Sequence, residues 1–86
     1  MFYVYVLKNS ENDNFYTGCT EDLRKRLMEH NNGKVTTTRK FRNWKVVYYE
    51  ASLDIVDAFA REKYLKSGPG KRYLRQRLKR FLSLTG

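Results

Sequence analysis

Two phenols and a glycine near the start of the chain stand at a spacing that could build a site. Tyr3-Val4-Tyr5 and Tyr16-Thr17-Gly18 flank a polar stretch, Asn9-Ser10-Glu11-Asn12-Asp13-Asn14, rich in turn-forming residues. A strand, a tight loop and a second strand make a hairpin. If Leu7 pairs with Tyr16, then Tyr5 lies opposite Gly18 and diagonal to Tyr16, and Gly18 leaves space beside the Tyr5 hydroxyl. A slip of one residue would send the two tyrosines to opposite faces. A phenol ionises only near pH 10, so acid–base work by either tyrosine needs help from its neighbours; packing is the alternative use. Farther along, Glu62 falls at i+3 from Phe59 and i+7 from Ile55, on the inward side of a helix. An inward carboxylate needs a cation, either a metal ion or a neighbouring Arg or Lys.

Charge narrows the class of partner. The net charge is +9 on 86 residues, and between residues 61 and 80 nine Lys and Arg are opposed only by Glu62. Such a balance points to a polyanion, most often nucleic acid, with a solubilising surface as the plain alternative. An anionic membrane surface fits less well, because few apolar residues are offered for insertion. No apolar run is long enough to span a bilayer. The start reads as a strand rather than a charged and then apolar leader, so secretion is not indicated. One cysteine, Cys19, cannot form an internal disulfide and has no cysteine or histidine cluster for zinc. It reads as a bystander in a reducing, cytoplasmic setting.

The elements that would position these groups follow from patterning. Residues 2–8 alternate with both faces apolar or aromatic, which predicts a central strand; residues 15–18 give a shorter second one. Thr20 is a good N-cap for a helix, with Glu21 and Asp22 at its positive end. Leu23, Leu27 and His30 at i, i+4 and i+7 define its buried stripe, with Arg26 at the edge. Asn31-Asn32-Gly33 is a left-handed stop. Residues 34–43 show no period and read as an exposed basic loop, and residues 44–50 read as a third strand. Ser52 is expected to cap a helix carrying Ile55, Val56, Phe59, Ala60 and Leu65. Ser67-Gly68-Pro69-Gly70 breaks that helix, and a final one spans residues 71–82 with Leu74, Leu78, Phe81 and Leu82 inward. The order β-β-α-loop-β-α-α predicts one α+β domain, a three-stranded, mainly antiparallel sheet covered by helices.

These residues resemble the GIY-YIG nuclease superfamily over nearly the whole chain, most closely its small single-domain members. Tyr3-Val4-Tyr5 stands where the family has Gly-Ile-Tyr, keeping the tyrosine; Tyr16-Thr17-Gly18 keeps the tyrosine and glycine of Tyr-Ile-Gly. The segment from Asp22 to His30 matches the family's helix, with Arg26 at the catalytic arginine and His30 one turn later. Glu62, in Ala60-Arg61-Glu62-Lys63, matches the metal-binding glutamate. The chain departs from the pattern at Tyr3, which replaces a glycine, and in residues 71–80, which lack the family's late asparagine.

The resemblance implies a metal-dependent endonuclease acting on nucleic acid, most readily DNA, with little sequence preference, branched or damaged structures among its substrates. Glu62 would hold one divalent ion, Mg²⁺ or Mn²⁺, which keeps several waters. Arg26 would clamp the scissile phosphate through its planar fork, or else pair with Asp22 at i,i+4. Tyr5 is the candidate general base and Tyr16 the residue orienting water or phosphate. His30 would bond the phosphate or relay a proton, or else be a satisfied, partly buried helix histidine. Lys34, Thr38, Arg39 and Lys40, with Arg72 and Arg75, read as phosphate contacts, which position a strand without specifying its sequence. No small-molecule cofactor and no membrane partner are expected. A nucleic-acid-binding module without catalysis is the second reading.

Overall fold

The computed structural model describes residues 1–85. Strand β1 (Phe2–Asn9) lies between β2 (Phe15–Thr20) and β3 (Trp44–Ser52), antiparallel to both. The hairpin register is the one anticipated: Tyr5 faces Gly18 and Leu7 faces Tyr16. Two asparagines close the connecting turn. Asn9 Oδ1 accepts from the Glu11 amide and Asn12 Oδ1 from the Asn14 amide, both at 2.8 Å, the local bonding that favours Asn in turns. Asn9 is also fully buried, its amide donating to the Arg42 carbonyl at 2.7 Å.

A single register shift interrupts the other pairing: Val6 faces Tyr48, whereas Leu7 faces Val46. Val47 is therefore the extra residue of a β-bulge. Its effect is to turn Val47 and Tyr48 toward one side of the sheet, and Val46 and Trp44 toward the other. Both faces of β1 are covered, as its two apolar faces require. Val4 and Val6 pack with Ala58, Leu65 and Leu74; Tyr5 and Leu7 pack with Trp44, flanked by Leu23, Leu27 and Phe41.

Helix starts differ from expectation by two residues. Asp22, not Thr20, caps α1 (Leu23–Asn31), accepting from the Lys25 amide, while Thr20 Oγ1 accepts from the Asp22 amide one turn earlier. Asp54, not Ser52, caps α2 (Ile55–Lys66), because β3 runs on through Ser52. A carboxylate outcompetes a hydroxyl as an acceptor at a positive helix end. The anticipated stop of α1 is present as a Schellman turn: Gly33 has φ +73°, with Lys34 N–H bonded to the Glu29 carbonyl and Gly33 N–H to that of His30.

Two larger corrections concern the second half. The final helix is two, α3 (Gly68–Arg77) and α4 (Lys79–Thr85), separated at Leu78. Gly68-Pro69-Gly70 does not fill a gap before α3 but forms its first turn, with Ser67 Oγ accepting from the Gly70 amide; proline suits that position because its missing N–H is not required there. In α2 most of the expected stripe faces outward: Ile55, Val56 and Phe59 are 43%, 69% and 54% exposed, while Leu65 of that set is buried and meets the sheet together with Ala58. Small Ala58 lets the backbone approach, and Arg61 beside it is held by Glu50 of β3 at 3.0 Å.

Helices α2 and α3 meet at Gly70, where a Cβ would overlap the Tyr64 carbonyl oxygen and lie 2.6 Å from Leu65 Cα. Both obstacles are backbone. Gly70→Ala is expected to destabilise by about 3 kcal/mol, lowering Tm by about 12 °C or more. Gly68→Ala, which meets only the flexible end of Arg72, should leave Tm within a few degrees. Equal melting of the two variants would show that the helices do not meet there.

Candidate active site

The hairpin register decides where the phenols go. Tyr5 is 1% exposed at the centre of the sheet, and its hydroxyl lies against Gly18: a Cβ there would stand 2.5 Å from that oxygen and 3.0 Å from Tyr16 Cε2. Only glycine leaves this volume. The Tyr5 and Tyr16 rings are 6.3 Å apart, and His30, from the last turn of α1, packs edge-on against both, 5.8 Å from Tyr5 and 4.8 Å from Tyr16.

A buried hydroxyl needs a partner, and the Tyr5 oxygen has one in His30 Nε2 at 2.9 Å. On the far side of the ring, Nδ1 lies 2.7 Å from Thr38 Oγ1. In one tautomer Tyr5 donates to Nε2 and Nδ1–H donates to Thr38; in the other both bonds reverse. Thr38 is itself fixed, its carbonyl accepting from Phe41 N–H and Trp44 Nε1–H. Asn31 clamps the same segment to α1, donating to the Trp44 carbonyl at 2.9 Å and accepting from the Trp44 amide at 2.7 Å.

Thr38 therefore corrects the expectation of an exposed phosphate contact. It is 3% exposed and belongs to a three-member chain, Tyr5–His30–Thr38. Residues 34–43 are not a free loop: Val35 and Thr38 are buried in them, because a single inward hydroxyl and a single inward valine leave no period to detect. Lys34, Arg39, Lys40, Arg72 and Arg75 are exposed, as phosphate contacts must be.

Electrostatics separates the roles of the pair. Burial pushes Tyr5 up to about 12, against a downward pull from Arg26. His30 is driven down to about 4, first by burial and then by the Arg26 charge, so the imidazole is neutral at pH 7 and a weaker base than an ordinary histidine. Arg26 does not pair with Asp22, whose carboxylate caps the helix; it bonds Glu29 Oε1 at 3.0 Å, partly exposed, and its guanidinium is near enough to Tyr5 to pull the phenol down. Burial, followed by the charge of Glu62, raises the Cys19 thiol, which keeps it protonated and inert.

Glu62 reaches the site from α2. Its charge raises both Tyr5 and Cys19. It is not unpaired: Lys66 Nζ lies 2.8 Å from Oε2, at i,i+4. Among the described residues no three His, Cys, Asp or Glu gather to hold a metal ion. One carboxylate, 19% exposed, is a fit for a hard, strongly hydrated cation that binds through one or two carboxylates and keeps its waters, and not for a dehydrated zinc site. Tyr3, at the family's glycine position, packs edge-on with Tyr49 of β3 at 6.0 Å, on the opposite side of β1 from Gly18.

Residues 1–76 match the GIY-YIG catalytic domain family. Among curated proteins, the chain is 42% identical over 67 residues to a UPF0213 protein of Clostridium perfringens, covering 77% of this chain and 71% of that one. It is 38% identical over 71 residues to a UPF0213 protein of Bacillus pumilus, with 81% and 71% covered. A UPF0213 protein of Autographa californica nuclear polyhedrosis virus is 32% identical over 76 residues, with 87% and 72% covered. No solved structure gives a significant match.

His30 is the chain's one histidine, so its ring protons are identified in an NMR spectrum without assignment. Their titration midpoint is expected near pH 4 rather than the ordinary 6.5. Because the folded pKa is depressed, this group's stabilisation is complete above pH 6.5 and is lost as pH falls toward 4; thermal melts across that window should decline. A midpoint at 6.5 would mean that the imidazole is solvated and not bonded to Tyr5.

Proposed function

The chain belongs to the GIY-YIG catalytic domain family, and from that premise we propose that it is a divalent-metal-dependent endonuclease hydrolysing DNA phosphodiester bonds with little sequence preference. The family is one of nucleases, its members generally use a divalent ion, and nucleic acid is the substrate that the family implies. The observation that carries the proposal for this chain is the buried Tyr5–His30–Thr38 relay with Arg26 beside it.

The relay answers a difficulty set by burial. A phenol pushed up to about 12 supplies almost no phenolate at neutral pH, so Tyr5 alone is a poor base. With a neutral His30 Nε2 as acceptor it need not ionise first. The attacking water gives its proton to the Tyr5 oxygen as the Tyr5 proton passes to Nε2; the hydroxide so formed bonds phosphorus, the bond from phosphorus to the leaving oxygen breaks, and that oxygen takes a proton from solvent water. Thr38 accepts from Nδ1–H throughout, holding the tautomer that leaves Nε2 open. A phosphate on Arg26 neutralises one of the charges that depress His30, which raises the basicity of the imidazole when substrate is in place.

Arg26 compensates the charge that builds on the phosphoryl oxygens. Tyr16, half-buried beside the His30 ring, orients water or phosphate. Glu62 offers its oxygen to the ion, Mg²⁺ or Mn²⁺, whose chemistry when bound is further compensation of phosphoryl charge. Lys34, Arg39, Lys40, Arg72 and Arg75 supply sequence-blind contacts to the backbone.

A panel of branched, flap, nicked and single-stranded DNA with Mg²⁺ or Mn²⁺ tests this reading. Cleavage should vanish in Glu62→Ala and fall by about 100-fold or more in Tyr5→Phe and in Arg26→Ala. Unchanged cleavage in all three variants would move the chemistry elsewhere. Salt-sensitive binding with no turnover on any substrate would instead identify a binding module. Lys66 competes with the ion for Glu62, so Lys66→Met should tighten Mn²⁺ binding a few-fold, the worth of one exposed ion pair, as read by electron paramagnetic resonance; weaker binding would remove Glu62 as the ligand.

A further inference from the structure

A second concavity adjoins the groups named above. A groove of about 650 Å³ runs between the outer edge of β2 and the pair α3–α4. Its floor is apolar, made by Leu65, Leu74, Leu78 and Leu82. Phe15, an edge-strand aromatic 47% exposed, forms part of its wall beside Tyr16. Its lip carries Lys66, Lys71 and Arg75; of these only Lys66 has an ion pair among the described residues. The carboxylate on the lining is Asp13, at the hairpin turn, fully exposed and 3.9 Å from Lys8.

An apolar floor with an exposed aromatic and three cations at the lip matches one kind of occupant. A wholly apolar ligand has no use for the cations, and a simple anion has no use for the leucines. A stacked duplex offers only its phosphates, since its bases are already covered on both faces. A nucleotide with its base out of the stack offers both, a flat π face for the apolar walls and a phosphate on either side for the cations. The groove is also continuous with the site. Tyr16 lines it and touches His30, and Lys66 joins its lip to Glu62.

We propose that this groove holds one unstacked nucleobase of the substrate strand, next to the scissile phosphate, with Lys66, Lys71 and Arg75 on the flanking phosphates. The inference rests on the nuclease reading for its substrate and adds the structural class: a strand able to turn a base out, at a branch, flap, lesion or unpaired stretch. A base in the groove sets its neighbouring phosphate beside the Tyr5–His30 pair, so the groove selects where cutting occurs by local unstacking rather than by base identity.

Binding to single-stranded oligonucleotides of about ten nucleotides tests it, measured by anisotropy in EDTA so that no cleavage is needed. One abasic residue is placed at each position in turn. Loss of the base at one position should weaken binding to the wild-type chain on the order of ten-fold. Phe15→Ala should abolish that discrimination and Phe15→Trp should keep it, which separates stacking from a folding defect. Lys71→Ala and Arg75→Ala should weaken intact and abasic strands alike and each lower the salt slope by about one. Abasic and intact strands bound equally by the wild-type chain, or discrimination surviving in Phe15→Ala, would overturn the proposal. The two readings fail separately: a chain that discriminates but never cleaves loses its catalysis, and one that cleaves without discriminating loses the groove.

Discussion

A hydroxyl in the middle of a sheet covered on both faces has little access to bulk water, and an unpartnered one would cost about 1–3 kcal/mol. Tyr5 is in that position, and most of the site follows from how its hydroxyl is satisfied. Its oxygen requires a bonding partner at a fixed point above β1, and His30 on α1 supplies it. Two-sided bonding of the imidazole then requires Thr38, and through it the ordering of residues 34–43 against Trp44 and Asn31. Gly18 is the matching constraint from below, since any Cβ there takes the space of the phenol oxygen. One buried polar atom thus ties two strands, a helix and a loop into a single arrangement.

The parts of this arrangement that were legible in the chain are those governed by local rules. Alternation of apolar residues on both faces marked β1 as central, turn-forming asparagines marked the hairpin, and Asn32-Gly33 marked the end of α1. The pairing of Tyr5 with Gly18 followed from the hairpin register. What could not be read depended on contacts between distant segments. Thr38 sits in a run of three threonines, and nothing in that run distinguishes the one that turns inward toward His30. The outward set of Ile55, Val56 and Phe59 looked like a core stripe because they are the large apolar residues of α2. The helix instead docks through Ala58, where small size matters more than hydrophobicity. The break at Leu78 interrupts a stripe whose apolar period continues undisturbed across it.

Charge is distributed unevenly in a way that suits two tasks. Exposed cations lie on the loop before β3 and on α3, where they can meet phosphates, while the charges nearest the phenol are paired at neutral distance: Arg26 with Glu29, and Glu62 with Lys66. Each of these pairs is partly exposed, so each is worth little in stability and yields readily to a stronger partner. Both are side chains held in reserve beside a rigid, neutral pair, Tyr5 and His30, whose own geometry does not depend on them.

The pairing of β1 with β3 has a consequence for how the site comes to exist. Joining Tyr5 to Tyr49 closes a loop that contains Tyr16, Arg26, His30 and Thr38, whereas Glu62 lies beyond it. Loop closure is dominated by chain entropy, which grows only slowly with length, so once the sheet has zipped, the enclosed groups share one tether at both ends and are ordered together. The carboxylate is positioned by a different contact, the packing of α2 through Ala58 and Leu65. Glu62 and the Tyr5–His30–Thr38 chain are thus held by different contacts, and a fluctuation that lifts α2 would withdraw the carboxylate without breaking a hydrogen bond of that chain.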